Sequence, residues 1–297
     1  MCTIFINILS DMVEKKICLA GDGWGAIAAY RSLRKTFKNI DLISSDQLLL
    51  SEAFKDHLSV VDFNHTDTDL VVCAGYKPII PVELLVKKTF INIHYSLLPK
   101  YRGQHSTVWA ILNNEKELGL SIHLMSEYID DGPVIYQHSI KNDFKSTSVF
   151  YMDSFNNWIE KNLGSVIKKF IEGNIQPVNQ DKGKATWVGR RRKTDCKIDF
   201  SKDHKYLNNF FRALVPPYPL PYIELIKDGK QYAVKKAYFI ERNVQSHIGR
   251  ILNIDNEGIY IGSKDGYVIL NQLVDENDNP VDYKNFRIGF FLNQDFK

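Results

Sequence analysis

The chain predicts an α/β fold: a mostly parallel sheet with helices in an N-terminal domain, then a smaller antiparallel β-rich domain. Three observations carry that expectation. Residues 16–20 form a short apolar run, followed by the glycine loop Gly21-Asp22-Gly23-Trp24-Gly25 and a helical stretch. Strand, tight turn and helix in that order open a Rossmann-like βαβ unit. A second unbroken apolar run, Asp69-Leu70-Val71-Val72-Cys73-Ala74, ends at Gly75 and reads as a strand buried on both faces. Near residue 180 the composition shifts to a charged stretch, and beyond it short β runs alternate with turns.

Taken in order, 16–20 is the first strand and 26–36 the first helix, with Met12 an alternative start just ahead of them. Residues 40–43 and 58–63 read as further short strands. Residues 81–86 suit a short helix with Pro81 in its first turn. Lys88-Thr89-Phe90-Ile91 leads a strand that carries Asn92 and His94. Residues 105–114 read as a helix, and 118–125 and 134–140 as strands. The gaps between successive parallel strands are long enough for helical crossovers. A long helix follows over 146–172, because Met152, Phe155, Ile159, Leu163, Val166 and Phe170 recur every three or four residues as a core-facing stripe. Gly173-Asn174 ends it.

The expected layout is a catalytic domain over 1–178, a linker over 179–195 containing Arg190-Arg191-Arg192-Lys193, and a β-rich domain over 196–297. That last domain opens with a helix over 206–214 and a rigid turn, Pro216-Pro217-Tyr218-Pro219. Short strands follow at 222–226, 232–239, 248–254, 258–261 and 267–270, with hairpin turns at 227–230 and 256–258.

Composition narrows the function. A chain of 297 residues, 44% hydrophobic and 25% charged, builds a sizeable globular core. The net charge of +3 gives no overall polyanion footprint, so no nucleic-acid partner is expected. No apolar run reaches a membrane span. The start lacks the positive segment and cleavage site of a signal peptide. Cys2, Cys18, Cys73 and Cys196 have no paired metal spacing and suit buried thiols, so a cytoplasmic protein without a metal is expected.

The chemistry concentrates in Asn92-Ile93-His94-Tyr95-Ser96-Leu97-Leu98-Pro99-Lys100-Tyr101-Arg102-Gly103. Asn92 and His94 are two apart on a strand, so both side chains leave one face. Pro99 and Gly103 then turn the chain. An imidazole beside an amide donor at a strand end can take a proton and stabilise an oxyanion. Downstream, Ile129-Asp130-Asp131-Gly132 supplies carboxylates. A lone strand histidine is usually structural, and a lone Asp before Gly usually forms a turn. The ordered combination favours chemistry.

These two segments resemble the paired signatures of enzymes that transfer a formyl group from 10-formyltetrahydrofolate to an amine. The first is Asn-x-His-x-Ser-Leu-Leu-Pro-x-x-Arg-Gly; the second is Ile-Asp-x-Gly, preceded here by Ser121-Ile122-His123-Leu124-Met125. The resemblance implies that Asn92, His94 and Asp130 are catalytic. His94 would take the amine's proton, Asn92 would donate to the oxyanion, and Asp130 would orient His94. Asp131 is the weaker acid candidate. His123 and His138 read as structural or surface residues, and His105 stays open. The resemblance further implies that the backbone of 75–80 and the segment 125–130 hold the pterin ring of the folate, at Ile79, Ile80, Met125, Tyr128 and Ile129.

For the acceptor, the second domain counts against the purine-pathway branch. Gln104-His105-Ser106-Thr107-Val108-Trp109 resembles the enzymes that N-formylate nucleotide-linked amino sugars rather than methionyl-tRNA. Arg190-Arg191, Arg212-Ala213-Leu214 and Pro216-Pro217-Tyr218-Pro219 resemble that branch too. The implied acceptor is a dTDP-linked amino-dideoxyhexose for surface polysaccharide synthesis, with Trp24, Lys77, Arg102, Gln104, Arg190 and Tyr218 as its contacts and a homodimer as the assembly. The same residues admit bland readings: Lys77 and the arginine cluster as solvated charge, Trp24 as packing. Methionyl-tRNA, a UDP-linked sugar, or a non-catalytic sugar-nucleotide binding role are the alternatives. The glycine spacing in Gly21–Gly25 does not match G-x-G-x-x-G, so no dinucleotide is expected.

Overall fold

A computed structural model describes residues 16–56, 62–63, 66–226 and 229–293. Most of the strand expected at 58–63 lies outside the described residues, as do Cys2, Met12 and positions 227–228 of an expected turn. The chain forms two compact units. The first takes residues up to Ser106 with Glu117–Ile140 and Tyr151–Val188; the second takes Thr107–Lys116, Lys141–Phe150 and the chain from Gly189.

The first unit is built on a six-stranded sheet of order β2-β1-β3-β4-β6-β7. Its strands are β1 (Ile17–Gly21), β2 (Ile40–Ile43), β3 (Leu70–Ala74), β4 (Thr89–His94), β6 (Glu117–Leu124) and β7 (Val134–Lys141). β1 pairs in parallel with β2 and β3, and β3 with β4, whereas β4 and β6 are antiparallel. Every residue of β1 is buried, as an unbroken apolar run requires in a sheet covered on both faces. Helix α1 (Gly23–Leu33) joins β1 to β2, α2 (Gln47–Lys55) follows β2, and α3 (Val82–Lys87) precedes β4.

The first helix starts earlier than its composition suggests, at Gly23. Asp46 accepts from Gly23 N–H at 2.9 Å, satisfying one of the free donors at this helix N-terminus. Asp46 also caps α2, accepting from the N–H groups of Leu48 and Leu49. The chain's own carboxylate thus takes up donors at two helix N-termini, where an anion is favoured. Gly21 is required because a Cβ there would lie 1.8 Å from the Ala74 carbonyl oxygen. The long helix α5 (Ser148–Ile171) buries Phe155, Ile159, Leu163 and Val166 of the expected stripe, with Met152 and Phe170 partly buried and Tyr151 buried beside them. Gly164 lets it approach α1, donating to Ser32 Oγ at 3.0 Å.

One ladder has no counterpart in the sequence reading. β5 (Arg102–Gly103) pairs in parallel with β8 (Trp187–Val188), tying the loop after β4 to residues read as linker. Two-residue strands are too short to show a period.

The second unit contains helix α4 (Ser106–Leu112) from Thr107 onward and α6 (His204–Ala213), with a five-stranded antiparallel sheet of order β11-β12-β13-β10-β9. The strands are β9 (Tyr222–Glu224), β10 (Gln231–Glu241), β11 (Ile251–Asp255), β12 (Gly258–Ser263) and β13 (Gly266–Val274). Val234, Ile259, Ile261, Val268 and Leu270 fill its core, and α6 buries Leu207, Phe210 and Ala213. Among the described residues no helix is long and apolar enough to cross a membrane. Cys18, Cys73 and Cys196 are free and buried, and burial pushes the Cys18 thiol up to about 12.

Candidate active site

The site lies at the C-terminal end of β4, where ligands bind in open α/β sheets. Antiparallel register places Asn92 opposite His123 and His94 opposite Ser121. Four polar side chains therefore share one patch of the sheet. His94 is buried, and its Nε2 lies 2.8 Å from the Tyr101 carbonyl oxygen. A carbonyl only accepts, so Nε2 carries the proton and the lone pair of the neutral ring is on Nδ1. That Nδ1 faces Asp130 Oδ2 at 3.5 Å. Burial is the largest influence on His94 and pushes its imidazole below the usual histidine range, against the pull of the Asp130 charge.

Asp130 is the hub. Its Oδ2 also accepts from Gly103 N–H at 2.8 Å, and its Oδ1 lies 3.3 Å from Asn92 Nδ2 and 3.4 Å from His123 Nε2. Burial acts to raise its carboxyl, but the His123 and His94 rings and the Gly103 N–H together hold it at about 2. His123 is anchored from behind, its Nδ1 on the Leu124 carbonyl at 2.8 Å, and its Nε2 lies 3.3 Å from Asn92 Nδ2. The arrangement can hold an ionised carboxylate, a neutral buried imidazole and an amide donor against one reacting group. Sequence alone reads His123 as a structural or surface residue, whereas it lies in contact with Asn92 and Asp130. The signal that finds it is strand pairing: it shares a face of β6 with Ser121 and sits beside Asn92.

The remaining candidates divide. Ile79, Tyr128 and Ile129 are 90%, 65% and 68% exposed, an unusual display of apolar surface at strand ends. Ile80 instead belongs to the core cluster with Cys18, Ala20, Val71, Cys73 and Phe90, and Met125 packs against that cluster. Ile80 therefore offers a ligand its backbone only, since its side chain is spent on the core. Trp24 is 67% exposed at the start of α1, and Lys77 and Gln104 are exposed.

Arg102 departs most from expectation. Its side chain is buried, with Nη1 on Asp131 Oδ1 at 2.5 Å and Nε and Nη2 on Gln180 Oε1 at 3.2 and 2.8 Å. All three nitrogens bond within the protein. Asp131 is accordingly the partner of an arginine and not of His94. The exposed ring of Trp187 stacks over the Arg102 guanidinium at 5.4 Å.

In the second unit Arg190 is exposed while Arg191 is buried, lying over Trp109 and Phe210 at 5.0 and 5.7 Å. Trp109 Nε1–H donates to the Gly189 carbonyl at 2.8 Å. Tyr218 is half-buried, which raises its phenol. In the first unit His138 stacks on Trp158 at 4.9 Å, and His105 adopts a left-handed φ of 59°. Among the described residues no group of three or more His, Cys, Asp or Glu side chains is arranged to hold a metal.

Residues 36–167 match the formyl transferase family and residues 190–290 match the formyl transferase C-terminal domain. The methionyl-tRNA formyltransferase of Thermosipho melanesiensis is 30% identical over 217 residues, 72% of this chain and 68% of that protein. This chain belongs to the formyl transferase family. Two solved structures share the fold of this formyltransferase. An N-formyltransferase from Helicobacter canadensis, in complex with folinic acid and dTDP-3-aminofucose, has a TM-score of 0.67 at 22% identity, covering 86% of this chain and 98% of its own. A 4-N formyltransferase from Francisella tularensis has a TM-score of 0.62 at 21% identity, covering 73% and 95%.

Proposed function

We propose that this formyltransferase moves the formyl group of 10-formyltetrahydrofolate to the amine of a dTDP-linked 4-amino-4,6-dideoxyhexose, most specifically dTDP-4-amino-4,6-dideoxyglucose, for surface polysaccharide synthesis. The observation that carries the transfer is the convergence of Asn92, His94 and Asp130 within 3.5 Å contacts at one strand end. Exposed Ile79, Tyr128 and Ile129 beside strand-end backbone suit a flat, apolar-faced ring with polar edges, as a pterin is.

In this reading the neutral amine attacks the formyl carbon. His94 Nδ1 takes the proton the nitrogen loses, and Asp130 faces the resulting imidazolium. Asn92 turns one amide hydrogen to the oxygen that gains charge. One such donor contributes about 3 kcal/mol to barrier lowering. As the bond from the formyl carbon to the donor nitrogen breaks, His94 returns its proton to that nitrogen. The products are a formamide and tetrahydrofolate, and the imidazole ends neutral.

Support for a sugar acceptor comes from the segment after Arg102-Gly103 and from the low net charge of +3. Lys77, exposed in the loop after β3, suits a phosphate. The protein in complex with dTDP-3-aminofucose keeps a 3-amino isomer in view. A second reading, formylation of methionyl-tRNA, is favoured by the named activity of the Thermosipho relative. Incubating the protein and 10-formyltetrahydrofolate with a panel of dTDP- and UDP-linked amino sugars and charged initiator tRNA, read by mass spectrometry, separates them. Tight sugar-nucleotide binding with no turnover on any acceptor would instead support a non-catalytic role. The homodimer is part of the same proposal, checked by light scattering.

A further inference from the structure

Asp130 holds its contacts from an unrelaxed backbone, with φ at 52° in the left-handed region that costs a non-glycine residue energy. One side chain from far along the sequence holds that turn. Gln180 Nε2 donates to the Asp130 carbonyl at 2.8 Å and to the Gly132 carbonyl at 2.7 Å. Gln180 Oε1 in turn accepts from Arg102, and Arg102 pairs with Asp131. The Asp130 and Gly132 carbonyls and the Asp131 carboxylate thus belong to one continuous network, each bond polarising the next. The turn has no slack elsewhere, because a Cβ on Gly132 would lie 1.9 Å from the Leu124 carbonyl oxygen.

We infer that Gln180 is a positioning residue for the transfer: it holds the Asp130 turn so that the carboxylate stays against His94. This rests on the reading of Asp130 given above. Gln180 touches no reacting atom. Its two amide hydrogens are both used on the turn, so a side chain that cannot donate lets φ at Asp130 relax and carries the carboxylate away from Nδ1. A catalytic group displaced by about 1 Å can cost a hundredfold in rate.

The test uses Gln180→Met, which keeps shape without hydrogen bonds, and Gln180→Glu, which still accepts from Arg102 but cannot donate to the turn. Both are expected to lower kcat at least about tenfold while the donor KM moves less than about threefold. In Gln180→Met the acid limb of the pH–rate profile moves to lower pH, because the Asp130 charge that raises the His94 pKa has withdrawn. Near-normal kcat, a fall in kcat with an unmoved profile, or failure of both variants to fold would each overturn the inference in favour of a structural role. Asp130→Asn separates it from the underlying reading. If that variant keeps activity, the role of Asp130 is wrong; if it loses activity and Gln180→Met does not, only the positioning role is wrong.

Discussion

At His94 the tautomer decides the mechanism. Nε2–H is fixed on the Tyr101 carbonyl, so only Nδ1 is available to take a proton. In a Ser-His-Asp triad the acid holds the nitrogen that does not react. Here Asp130 sits at the reacting nitrogen, as a counter-charge for the imidazolium. Asn92→Ala, His94→Ala and Asp130→Ala are each expected to lower kcat by about a hundredfold or more with unfolding transitions still cooperative. Near wild-type turnover in His94→Ala would end this account. The pH dependence follows with its sign. Burial lowers the His94 pKa, so the acid limb of kcat/KM should fall below about pH 6.5, the ordinary imidazole value. Asp130, held at about 2, stays ionised across that range and adds no second limb. The acceptor amine titrates too, so the limb belongs to the coupled system, and the diagnostic is its shift. Neutralising Asp130 removes a charge that raises His94, so in Asp130→Asn any residual activity should show the limb at still lower pH. A limb that moves upward would contradict the assignment. Stability carries the same sign: the unfolded histidine protonates near pH 6.5 while the buried one does not, so stability on this account falls as pH drops through that window.

Strand pairing explains what the sequence disclosed and what it withheld. Asn92 and His94 are two residues apart on one strand, so their shared face is a local property and was legible. His123 reaches them only because β6 runs antiparallel to β4 in the register Asn92 to His123, and register is not a local property. The resemblance gives the folate the backbone of the loop that carries Ile80; that its side chain is buried depends on Phe90 and Cys18 from neighbouring strands and is not a local property. The β5–β8 ladder was invisible because two residues carry no period, yet it supports the site. Gly103 has φ of 107°, and a Cβ there would lie 2.2 Å from the Val188 carbonyl oxygen. Its N–H is also a donor to Asp130 Oδ2. Gly103→Ala should therefore destabilise the protein by about 1–3 kcal/mol and lower kcat together, since ladder and carboxylate contact fail at once. Denaturant melts and initial rates read both; a stable, fully active variant would show that the ladder carries no strain to the site. Phe155→Ala tests the core without the site. Phe155 is fully buried on α5, and the expected loss is about 3–5 kcal/mol with little change in KM in the protein that remains folded.

Over the whole molecule, the α/β sheet with an antiparallel β unit and the formyl-transfer signature were both readable from pattern, while the acceptor is a matter of surface. Charge is the strongest global evidence. A net +3 is small for a protein that must grip a folded RNA through many phosphates. The arginine-rich cluster is smaller than its sequence suggests, since Arg191 is buried over Trp109 and Phe210 and only Arg190, Arg192 and Lys193 reach solvent. On the proposed sugar reading, these three adjacent cations would meet a pyrophosphate rather than a long backbone. Trp109, on which the resemblance to the sugar-modifying enzymes partly rests, packs around Arg191, and Gln104 is exposed. The expected outcome is that a dTDP-linked 4-amino-4,6-dideoxyhexose is formylated efficiently, its 3-amino isomer less so, and charged initiator tRNA not at a comparable rate. Rates should be compared at low and raised salt. Nonspecific RNA binding through several phosphates loses orders of magnitude in affinity between about 50 and 200 mM salt. A two-charge pyrophosphate contact loses far less, so the sugar reaction should persist where any tRNA reaction fades. Formylation of initiator tRNA that matches the sugar rate and survives raised salt would assign this formyltransferase to the tRNA branch despite its surface.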